Sequence, residues 1–255
     1  MKRPRVLLAD DHALVVEGLR HLLEREFELV GTVEDGRALV AAATELRPDV
    51  ILLDISMPGL NGIDAARQLS QLVPESKLIF VTMHGDPTYV EEAFRAGGHG
   101  YLVKRCAARE LVQAIRTVLA GRPYVTPLIA GNVQPSVGAP APRSPRGHGG
   151  LTPRQREVLQ LVAEGYAAKE IATILDVSVK TVEFHKARIV EQLNLRTTAE
   201  LTRYAVAHGL VGLELRGGGA PRPTGPGRPP DSPVPDPLAA APPRGRPPSP
   251  VSNQP

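Results

Sequence analysis

The sequence has few of the residues that support disulfide-linked, zinc-binding or membrane-spanning structures. Among 255 residues there is a single cysteine, Cys106, so no disulfide can form within the chain. Cysteine and histidine residues with zinc-ligand spacing do not occur. No apolar run approaches the ~20 residues of a membrane span, and the first short run ends at Asp10 and Asp11. We therefore expect a cytoplasmic protein in a reducing compartment, without a membrane partner.

Neither positive nor negative charge predominates in the sequence. Proline and glycine are unevenly distributed along it. The formal net charge is only +3, so bulk charge does not indicate a nucleic-acid binder. Many of the 26 prolines and 24 glycines lie within 127–150 and after Arg216, where large apolar residues are scarce. Such segments bury too little apolar surface to fold. The composition predicts a flexible linker over 123–150 and a disordered, Pro-rich tail over 213–255.

The segment before this linker alternates short apolar runs with helical patterns. Continuous apolar runs typical of buried parallel strands lie at 6–9, 50–53, 78–81 and 101–103, and a more polar run lies at 27–33. Apolar residues recur at helical spacing between them, as in Leu14, Val15, Leu19, Leu22 and Leu23, in Ile63, Ala66, Leu69 and Leu72, and in Leu111, Ile115, Val118 and Leu119. This alternation predicts a parallel α/β sheet with right-handed crossovers.

Polar residues that can bind a metal ion or take part in catalysis follow these predicted strands. Asp10 and Asp11 follow the first strand, Asp54 the third, Thr82 the fourth and Lys104 the fifth. Ligands of open α/β sheets bind outside the carboxyl ends of the strands, so these side chains should converge there. Three carboxylates in one crevice need a cation, and a hard, oxygen-rich site suits Mg²⁺. The pattern predicts a phosphoryl site with a nucleophilic carboxylate and a charge-neutralising lysine.

Four sequence blocks around these residues resemble the signature blocks of receiver domains, over about residues 4–122. The blocks are Ala9-Asp10-Asp11-His12, Leu53-Asp54-Ile55-Ser56-Met57-Pro58-Gly59, Val81-Thr82-Met83-His84 and Gly100-Tyr101-Leu102-Val103-Lys104. The resemblance implies a flavodoxin-like, doubly wound parallel sheet of five strands, and the order of these strands is the one found in the family.

The receiver resemblance also implies a role for each site residue. Asp54 would be the phospho-acceptor, and Mg²⁺ would be held by Asp11, Asp54 and the Ser56 backbone carbonyl, with Asp10 supporting the ion through water. Lys104 would pair with the phosphoryl group. Thr82 would hydrogen-bond that group while Tyr101 changes rotamer, and this rearrangement would carry the signal to the helix at 87–96.

The segment after the linker has the signals of a helix-turn-helix. Thr152 is placed as an N-cap, Pro153 at the first helical position and Gln155 for a capping box. Further on, a short helix at 169–175, a tight turn at 176–178 and a longer helix over 179–193 are expected. In this motif the second helix enters the major groove of DNA.

Three blocks of this segment, 151–159, 169–172 and 178–185, resemble the LuxR-type helix-turn-helix, which would cover 151–212 with four helices. The resemblance implies a DNA-facing set of Lys169, Lys180, Thr181, Phe184, His185 and Arg188. It also implies a dimer contact through a fourth helix at 198–208.

A receiver followed by a LuxR-type domain resembles the NarL/FixJ class of two-component response regulators. The resemblance implies a transcription regulator that a sensor histidine kinase phosphorylates on Asp54. Phosphorylation would promote a homodimer that binds double-stranded promoter DNA, and the only catalysis would be the chain's own phosphoryl transfer.

Two other functions share part of this residue pattern. A Mg²⁺-dependent phosphotransferase acting on small substrates would also use a nucleophilic aspartate, but the block Asp54-Ile55-Ser56 lacks a second carboxylate two residues on. A third hypothesis is a phosphorylation-controlled protein-interaction module that does not bind DNA. Salt-dependent binding to promoter DNA would distinguish the DNA-binding regulator from such a module.

Overall fold

The computed structural model describes residues 2–131 and 150–212, all within one structural unit that spans Met1–Leu215. The predicted tail over 213–255 and most of the predicted linker, 132–149, lie outside the described residues. None of the described helices is both long and apolar enough to cross a membrane.

Parallel strands in the first part of the chain form one sheet, in the order β2-β1-β3-β4-β5-β6. The strands are β1 Arg5–Ala9, β2 Glu28–Val33, β3 Val50–Leu53, β4 Lys77–Thr82, β5 Gly100–Val103 and β6 Tyr124–Val125. The predicted parallel α/β sheet is thus confirmed, and the first five strands have the doubly wound order that the receiver resemblance implied.

Two details of the sequence prediction are wrong at the edge of this sheet. The sheet has a sixth strand, because Tyr124 and Val125 pair in parallel with β5. The segment from residue 123 is also not a linker at its start, since the short helix α6 Pro127–Ala130 follows β6. The physical reason is burial: Tyr124 and Ile129 enter the core, and the Thr126 hydroxyl accepts a hydrogen bond from Val103 N at 3.1 Å.

Helices cover both faces of the sheet. They are α1 Ala13–Leu23, α2 Gly36–Leu46, α3 Gly62–Leu72, α4 Pro87–Arg95 and α5 Lys104–Leu119. Successive strand residues point to opposite faces, so Leu7 and Ile51 join the core on the side of α2, α3 and α4. Their neighbours Leu8 and Leu52 join the core on the side of α1 and α5. The central strands β1, β3, β4 and β5 are therefore buried on both faces, and all the parallel strands bring their carboxyl ends to one edge.

The last described part of the chain contains four helices, as the sequence predicted. They are α7 Pro153–Ala163, α8 Ala168–Ile174, α9 Val179–Leu193 and α10 Thr198–Ala207. The capping box of Thr152 and Gln155 at the start of α7 is confirmed. The turn between α8 and α9 contains Asp176 in a left-handed conformation, with φ at 51°, and the Ser178 side chain caps α9. These helices share one apolar core.

Candidate functional site

The ends of β1 and β3 hold the two most deeply buried acids of the predicted site. The sheet hydrogen bonding continues one residue beyond these strands, since Asp10 N donates to Val33 O at 3.0 Å and Asp54 N donates to Ala9 O at 2.9 Å. The backbone positions are therefore fixed by the sheet. Asp10 is 1% exposed and Asp54 is 3% exposed, whereas the side chain of Asp11 keeps about a third of its surface accessible.

Lys104, the first residue of α5, lies between these two buried carboxylates. Its Nζ atom is 2.8 Å from Asp54 Oδ2 and 2.8 Å from Asp10 Oδ2. Burial acts to lower the pKa of the Lys104 ammonium, but the charges and hydrogen bonds of Asp54 and Asp10 outweigh burial, so the pKa is raised. The lysine therefore stays charged and neutralises one of the nearby acids. The predicted convergence of Asp10, Asp11, Asp54 and Lys104 is confirmed.

The acidic cluster has the donor atoms and the charge of a site for a hard cation. Ligand atoms of Asp10, Asp11, His12 and Asp54 lie within 4.8 Å of one another. The Oδ2 atom of Asp10 is buried and accepts no well-formed hydrogen bond, although Lys104 Nζ is close to it. Burial, and then the charges of Asp54 and Asp10, raise the pKa of Asp11 against the opposing effect of His12. A divalent cation would relieve this repulsion, so the residues fit Mg²⁺.

His12 is a neighbour of this cluster that the sequence reasoning did not single out. Its Nδ1 atom lies 3.0 Å from Asp10 Oδ1 and 2.9 Å from Asp11 Oδ1. Burial and Lys104 act to lower the pKa of His12, but Asp11 and Asp10 act in the other direction and the net effect is a raised pKa. The signal available in the sequence was its position directly after the acidic pair.

Thr82 and Tyr101 meet at the loop after β4. Thr82 is fully buried at the end of β4, and its hydroxyl accepts a hydrogen bond from His84 N at 3.4 Å. Tyr101 points inward, with its hydroxyl donating to His84 O at 2.9 Å, and burial raises the pKa of this phenol far above its ordinary value. The His84 ring lies 3.0 Å from Ser56 Oγ and stacks on Tyr89. This loop therefore links the predicted switch residues to the edge of the acidic cluster.

The predicted DNA-facing residues lie mainly along one side of α9. Lys180, Phe184 and Arg188 are exposed and spaced by four residues, which places them on one helical face. The Arg188 guanidinium is 5.6 Å from the Phe184 ring centroid. Basic groups and one aromatic ring thus form a continuous exposed strip.

The other three predicted DNA-facing residues are placed differently. Thr181 is half-buried, with its hydroxyl 2.8 Å from Ser178 Oγ. His185 is half-buried, and burial together with Arg154 lowers its pKa. Lys169 is exposed, but it belongs to α8.

Comparisons with known proteins agree with this geometry. Residues 6–116 match the family described as response regulator receiver domain, and residues 150–205 match the family described as bacterial regulatory proteins, luxR family. The oxygen regulatory protein NreC of Staphylococcus epidermidis is 38% identical over 215 residues, covering 81% of this chain and 99% of that protein. The transcriptional regulatory protein MctR of Rhizobium johnstonii is 35% identical over 209 residues, covering 81% of this chain and 95% of that protein.

A solved structure of the RcsB response regulator from Salmonella typhimurium is also similar. It has a TM-score of 0.56 and 28% sequence identity, and the match covers 81% of this chain and 98% of that one. Both domains are thus present in relatives of nearly the same extent as the described chain. The chain belongs to the DNA-binding response regulators of the NarL/FixJ class, which join a receiver domain to a LuxR-type helix-turn-helix.

Proposed function

We propose that this protein is the cytoplasmic transcription regulator of a two-component system, phosphorylated on Asp54 by a sensor histidine kinase. In this proposal residues 4–122 form the receiver and residues 151–212 bind DNA. Phosphorylation promotes a homodimer that binds paired half-sites in promoter DNA. The observation that carries the proposal is the placement of the Lys104 ammonium 2.8 Å from Asp54, within an acidic cluster at the carboxyl edge of the sheet.

The buried carboxylate of Asp54 is the nucleophile in this proposal. One of its oxygens forms a bond to phosphorus as the bond from phosphorus to the kinase histidine nitrogen breaks. Asp11, Asp54 and the Ser56 carbonyl would hold Mg²⁺, with Asp10 supporting the ion through water, and the bound ion would neutralise charge on the phosphoryl group. Lys104 neutralises further charge and orients the product. The chain thus catalyses only its own phosphoryl transfer.

Thr82 and Tyr101 transmit the result in this proposal. A phosphoryl group on Asp54 offers new acceptor oxygens at the carboxyl ends of β3 and β4. The Thr82 hydroxyl, which now contacts His84 N, moves to hydrogen-bond one of them. The Tyr101 ring already points inward under the same loop, so in this proposal the expected change of rotamer is not required, and its hydrogen bond to His84 holds the new position. The change therefore reaches α4, which begins five residues after Thr82.

Full-length protein treated with acetyl phosphate and Mg²⁺ tests the phosphorylation step. Intact mass should rise by one phosphoryl group in the wild type and not in Asp54→Asn. Asp176→Asn is the matched control, because Asp176 lies in the turn between α8 and α9, where its left-handed conformation suits asparagine. Equal labelling of Asp54→Asn and wild type would refute the assignment of Asp54.

Assembly is tested on the same samples. Sedimentation should show a dimer after phosphorylation or addition of beryllofluoride, and DNA titration at one fixed salt concentration should show tighter binding. Tethering two DNA-binding domains converts the second contact into an intramolecular one, with a gain of ~10² to 10⁴ in apparent affinity. Unchanged mass and unchanged affinity would contradict the proposed switch.

The proposed DNA-facing set is Lys169, Lys180, Thr181, Phe184, His185 and Arg188, and the cations among them are tested by salt dependence. Lys180→Ala and Arg188→Ala should each reduce the slope of log affinity against log salt by about 0.9 per binding domain, since each removes one phosphate contact. Arg25→Ala is the control, because Arg25 is an exposed receiver residue. An unchanged slope for both α9 variants would exclude this strip as the DNA contact.

A further inference from the structure

The segment of residues 124–130, which we call the β6–α6 segment, covers the outer edge of β5. Thr126, between β6 and α6, is fully buried although it is polar. Its backbone N donates to Tyr101 O at 2.9 Å, which continues the parallel pairing of β5 with β6. A buried hydroxyl needs a hydrogen-bond partner, and the partner here is the backbone N of Val103, at 3.1 Å. The segment therefore holds β5 at both Tyr101 and Val103.

The Thr126 hydroxyl takes the place of a backbone acceptor at the end of β5. In a parallel ladder that continued past β6, the carbonyl of Thr126 would accept from Val103 N. That carbonyl instead accepts from Ile129 N at 3.0 Å and from Ala130 N at 3.1 Å, because the chain turns into α6. The Thr126 side chain thus satisfies a backbone donor of β5 that would otherwise lack this acceptor.

Val103 is the residue directly before Lys104, so its backbone determines where the lysine side chain starts. No side chain caps α5 at Val103, and the helix begins with Lys104 itself. The Lys104 ammonium lies 2.8 Å from each of the two buried acids, and only 5% of the side chain is exposed. Functional groups must be held to within about 0.5 Å of their working position by the residues around them. The hydrogen bond from Val103 N to Thr126 therefore supports the position of the Lys104 ammonium.

Ile129 of α6 extends this support to the loop of residues 83–86, which we call the β4–α4 loop. Ile129 is 8% exposed and joins the core that contains Tyr101. A Cβ atom at Gly85 would lie 3.8 Å from Ile129 Cγ2, which is ordinary van der Waals contact. The His84 carbonyl of the same loop accepts from the Tyr101 hydroxyl at 2.9 Å. The loop is thus bound to Tyr101 and adjacent to α6.

We infer that the β6–α6 segment positions the groups that receive the phosphoryl group: Lys104 through the Thr126 hydroxyl, and the β4–α4 loop through Ile129. The inference rests on the proposed function, because it takes Asp54 as the phospho-acceptor and Lys104 and Thr82 as the residues that bind the product. Thr126 and Ile129 act through other residues, so they are positioning residues. The receiver then extends to residue 130 in its function as well as in its fold.

Removal of the Thr126 hydroxyl tests the support of Lys104. In the full chain, Thr126→Val keeps the shape of the side chain but leaves Val103 N without its acceptor, whereas Thr126→Ser keeps the hydroxyl. Both variants should be phosphorylated by acetyl phosphate and Mg²⁺, since Asp54 and the cation ligands remain. In sedimentation, the dimer of phosphorylated Thr126→Val should be at least about fivefold weaker than that of wild type, the lower end of typical coupling. Thr126→Ser should behave like wild type.

Ser76→Ala is the matched control, because it also removes a buried side-chain hydrogen bond of the receiver. Ser76 is 2% exposed, and its hydroxyl donates to Pro48 O at 2.7 Å. Ser76 directly precedes β4, so it lies at the edge of the sheet opposite Asp54. Its loss should lower the melting temperature, as the loss of the Thr126 hydroxyl does, but should leave dimerisation unchanged. An effect of stability alone on dimerisation would appear in both variants.

Fluorine NMR of bound beryllofluoride gives a readout that a purely structural role would not change. The fluorine atoms of this mimic stand in for phosphoryl oxygens, and the one beside the Lys104 ammonium is identified by its change in Lys104→Ala. The same resonance should shift in Thr126→Val, return in Thr126→Ser and stay in place in Ser76→Ala. This readout does not require the protein to dimerise.

Ile129→Ala tests the second contact independently of Thr126→Val. The shorter side chain leaves Gly85 without its neighbour, so the amides of His84 and Gly85 should exchange faster than in wild type, and dimerisation after phosphorylation should be weaker. Leu19→Ala is the control, since Leu19 is 5% exposed and belongs to the core on the other face of the sheet. It should leave amide exchange in the β4–α4 loop unchanged.

The outcomes separate this inference from the proposed function. Wild type that is not phosphorylated on Asp54 overturns the proposed function. Phosphorylated wild type, with Thr126→Val and Ile129→Ala variants that keep its dimerisation, fluorine spectrum and loop exchange, overturns the positioning role alone. A shifted resonance and weaker dimer in Thr126→Val, both restored in Thr126→Ser, support it. If Thr126→Val does not fold, Ile129→Ala decides, and loop exchange and dimerisation equal to wild type overturn the inference.

Discussion

Two buried ionic clusters in this protein differ in charge balance. One is rich in acids and forms the candidate phosphorylation site, and the other pairs every charge between helices α3 and α7. At the carboxyl edge of the sheet, Asp10, Asp11 and Asp54 share one lysine, Lys104, so acids are in excess. About ten residues further on, the Asp64 carboxylate is paired with Arg67, with Arg156 of α7 and with the side-chain amide of Asn61, so its charge is satisfied.

Excess negative charge in the first cluster favours a cation, and in the proposed function that cation would offset the repulsion between the acids and a reacting phosphoryl group. Full pairing in the second leaves nothing for a ligand to gain, and the pair fixes one domain against another. The balance of charge, and not the burial of an aspartate, therefore favours the first cluster as the candidate reactive site.

Removing Asp11 should produce the largest effect, because the acid-rich cluster would lose its most accessible cation ligand. Asp11→Ala is expected to abolish Mg²⁺-dependent phosphorylation, measured as the mass shift with acetyl phosphate. Mg²⁺ should raise the melting temperature of the wild type, because a ligand that binds the folded state stabilises it, and Asp11→Ala should abolish this increase. Normal labelling of Asp11→Ala, with magnesium as the only metal, would show that Asp11 is not a ligand.

Removing Lys104 from the same cluster should leave phosphorylation of Asp54 intact but prevent the dimerisation and DNA binding that follow it. In Lys104→Ala, Asp54 and the cation ligands remain, so phosphorylation should continue, but the lysine no longer pairs with the product. We expect a phosphorylated protein that stays monomeric in sedimentation and binds DNA no better than the unphosphorylated form. A phosphorylated Lys104→Ala protein that dimerises like wild type would contradict this role.

In the balanced cluster, breaking the pair should cost stability. Arg156→Gln leaves the Asp64 carboxylate buried with fewer partners, and removal of one member of a buried pair costs about 3 to 5 kcal/mol. The measurement is the free energy of unfolding in urea. The double variant Asp64→Leu, Arg156→Met should recover most of the loss, because apolar replacement of both partners leaves no unpaired charge. A double variant as unstable as Arg156→Gln would show that the loss is due to packing alone.

The two clusters should respond to pH with opposite sign. The folded pKa of Asp64 is lowered, so its contribution is fully present above its unfolded pKa of about 3.9 and is lost as pH falls through the folded value. The folded pKa of Asp11 is raised, so its ionisation opposes folding above the folded value and the penalty disappears at lower pH.

Urea unfolding of Asp64→Asn and Asp11→Asn without magnesium checks this contrast. At pH 7 the first variant should be less stable than wild type and the second more stable. The Asp11 difference should vanish on acidification toward pH 4 and the Asp64 difference at still lower pH. Changes of equal sign at pH 7 would remove the distinction between the clusters.

An exposed ion pair gives the smallest expected effect and a baseline for the comparison. Arg95 and Glu91 lie one turn apart on α4 and both side chains are more than half exposed. Glu91→Ala should cost only about 0.3 to 0.5 kcal/mol in urea unfolding and should lose this effect in high salt. A loss comparable to that of Arg156→Gln would mean that burial does not set the strength of these pairs.

Several features of the fold and the site could be predicted from the sequence, because each depends on local pattern. Apolar runs separated by helical periodicity give a parallel sheet, and the residues that end such strands must share an edge, which places Asp54 near Lys104. The capping box of Thr152 and Gln155 is likewise a local device, with its partners three residues apart.

Other features depend on partners far away in the chain, so only the tertiary structure decides them. Tyr124 and Val125 are too few to show a strand period, and they form β6 because β5 offers an open edge. Arg156, Gln160 and Glu164 of α7 have the sequence pattern of a solvated helix face. Arg156 is buried because the Asp64 carboxylate of α3 accepts its hydrogen bonds, and Gln160 is buried because the backbone of Met57 and Asn61 pairs with its amide. These partners lie more than ninety residues earlier in the chain. Complementarity at that separation is set by how the two domains meet, and no local pattern encodes it.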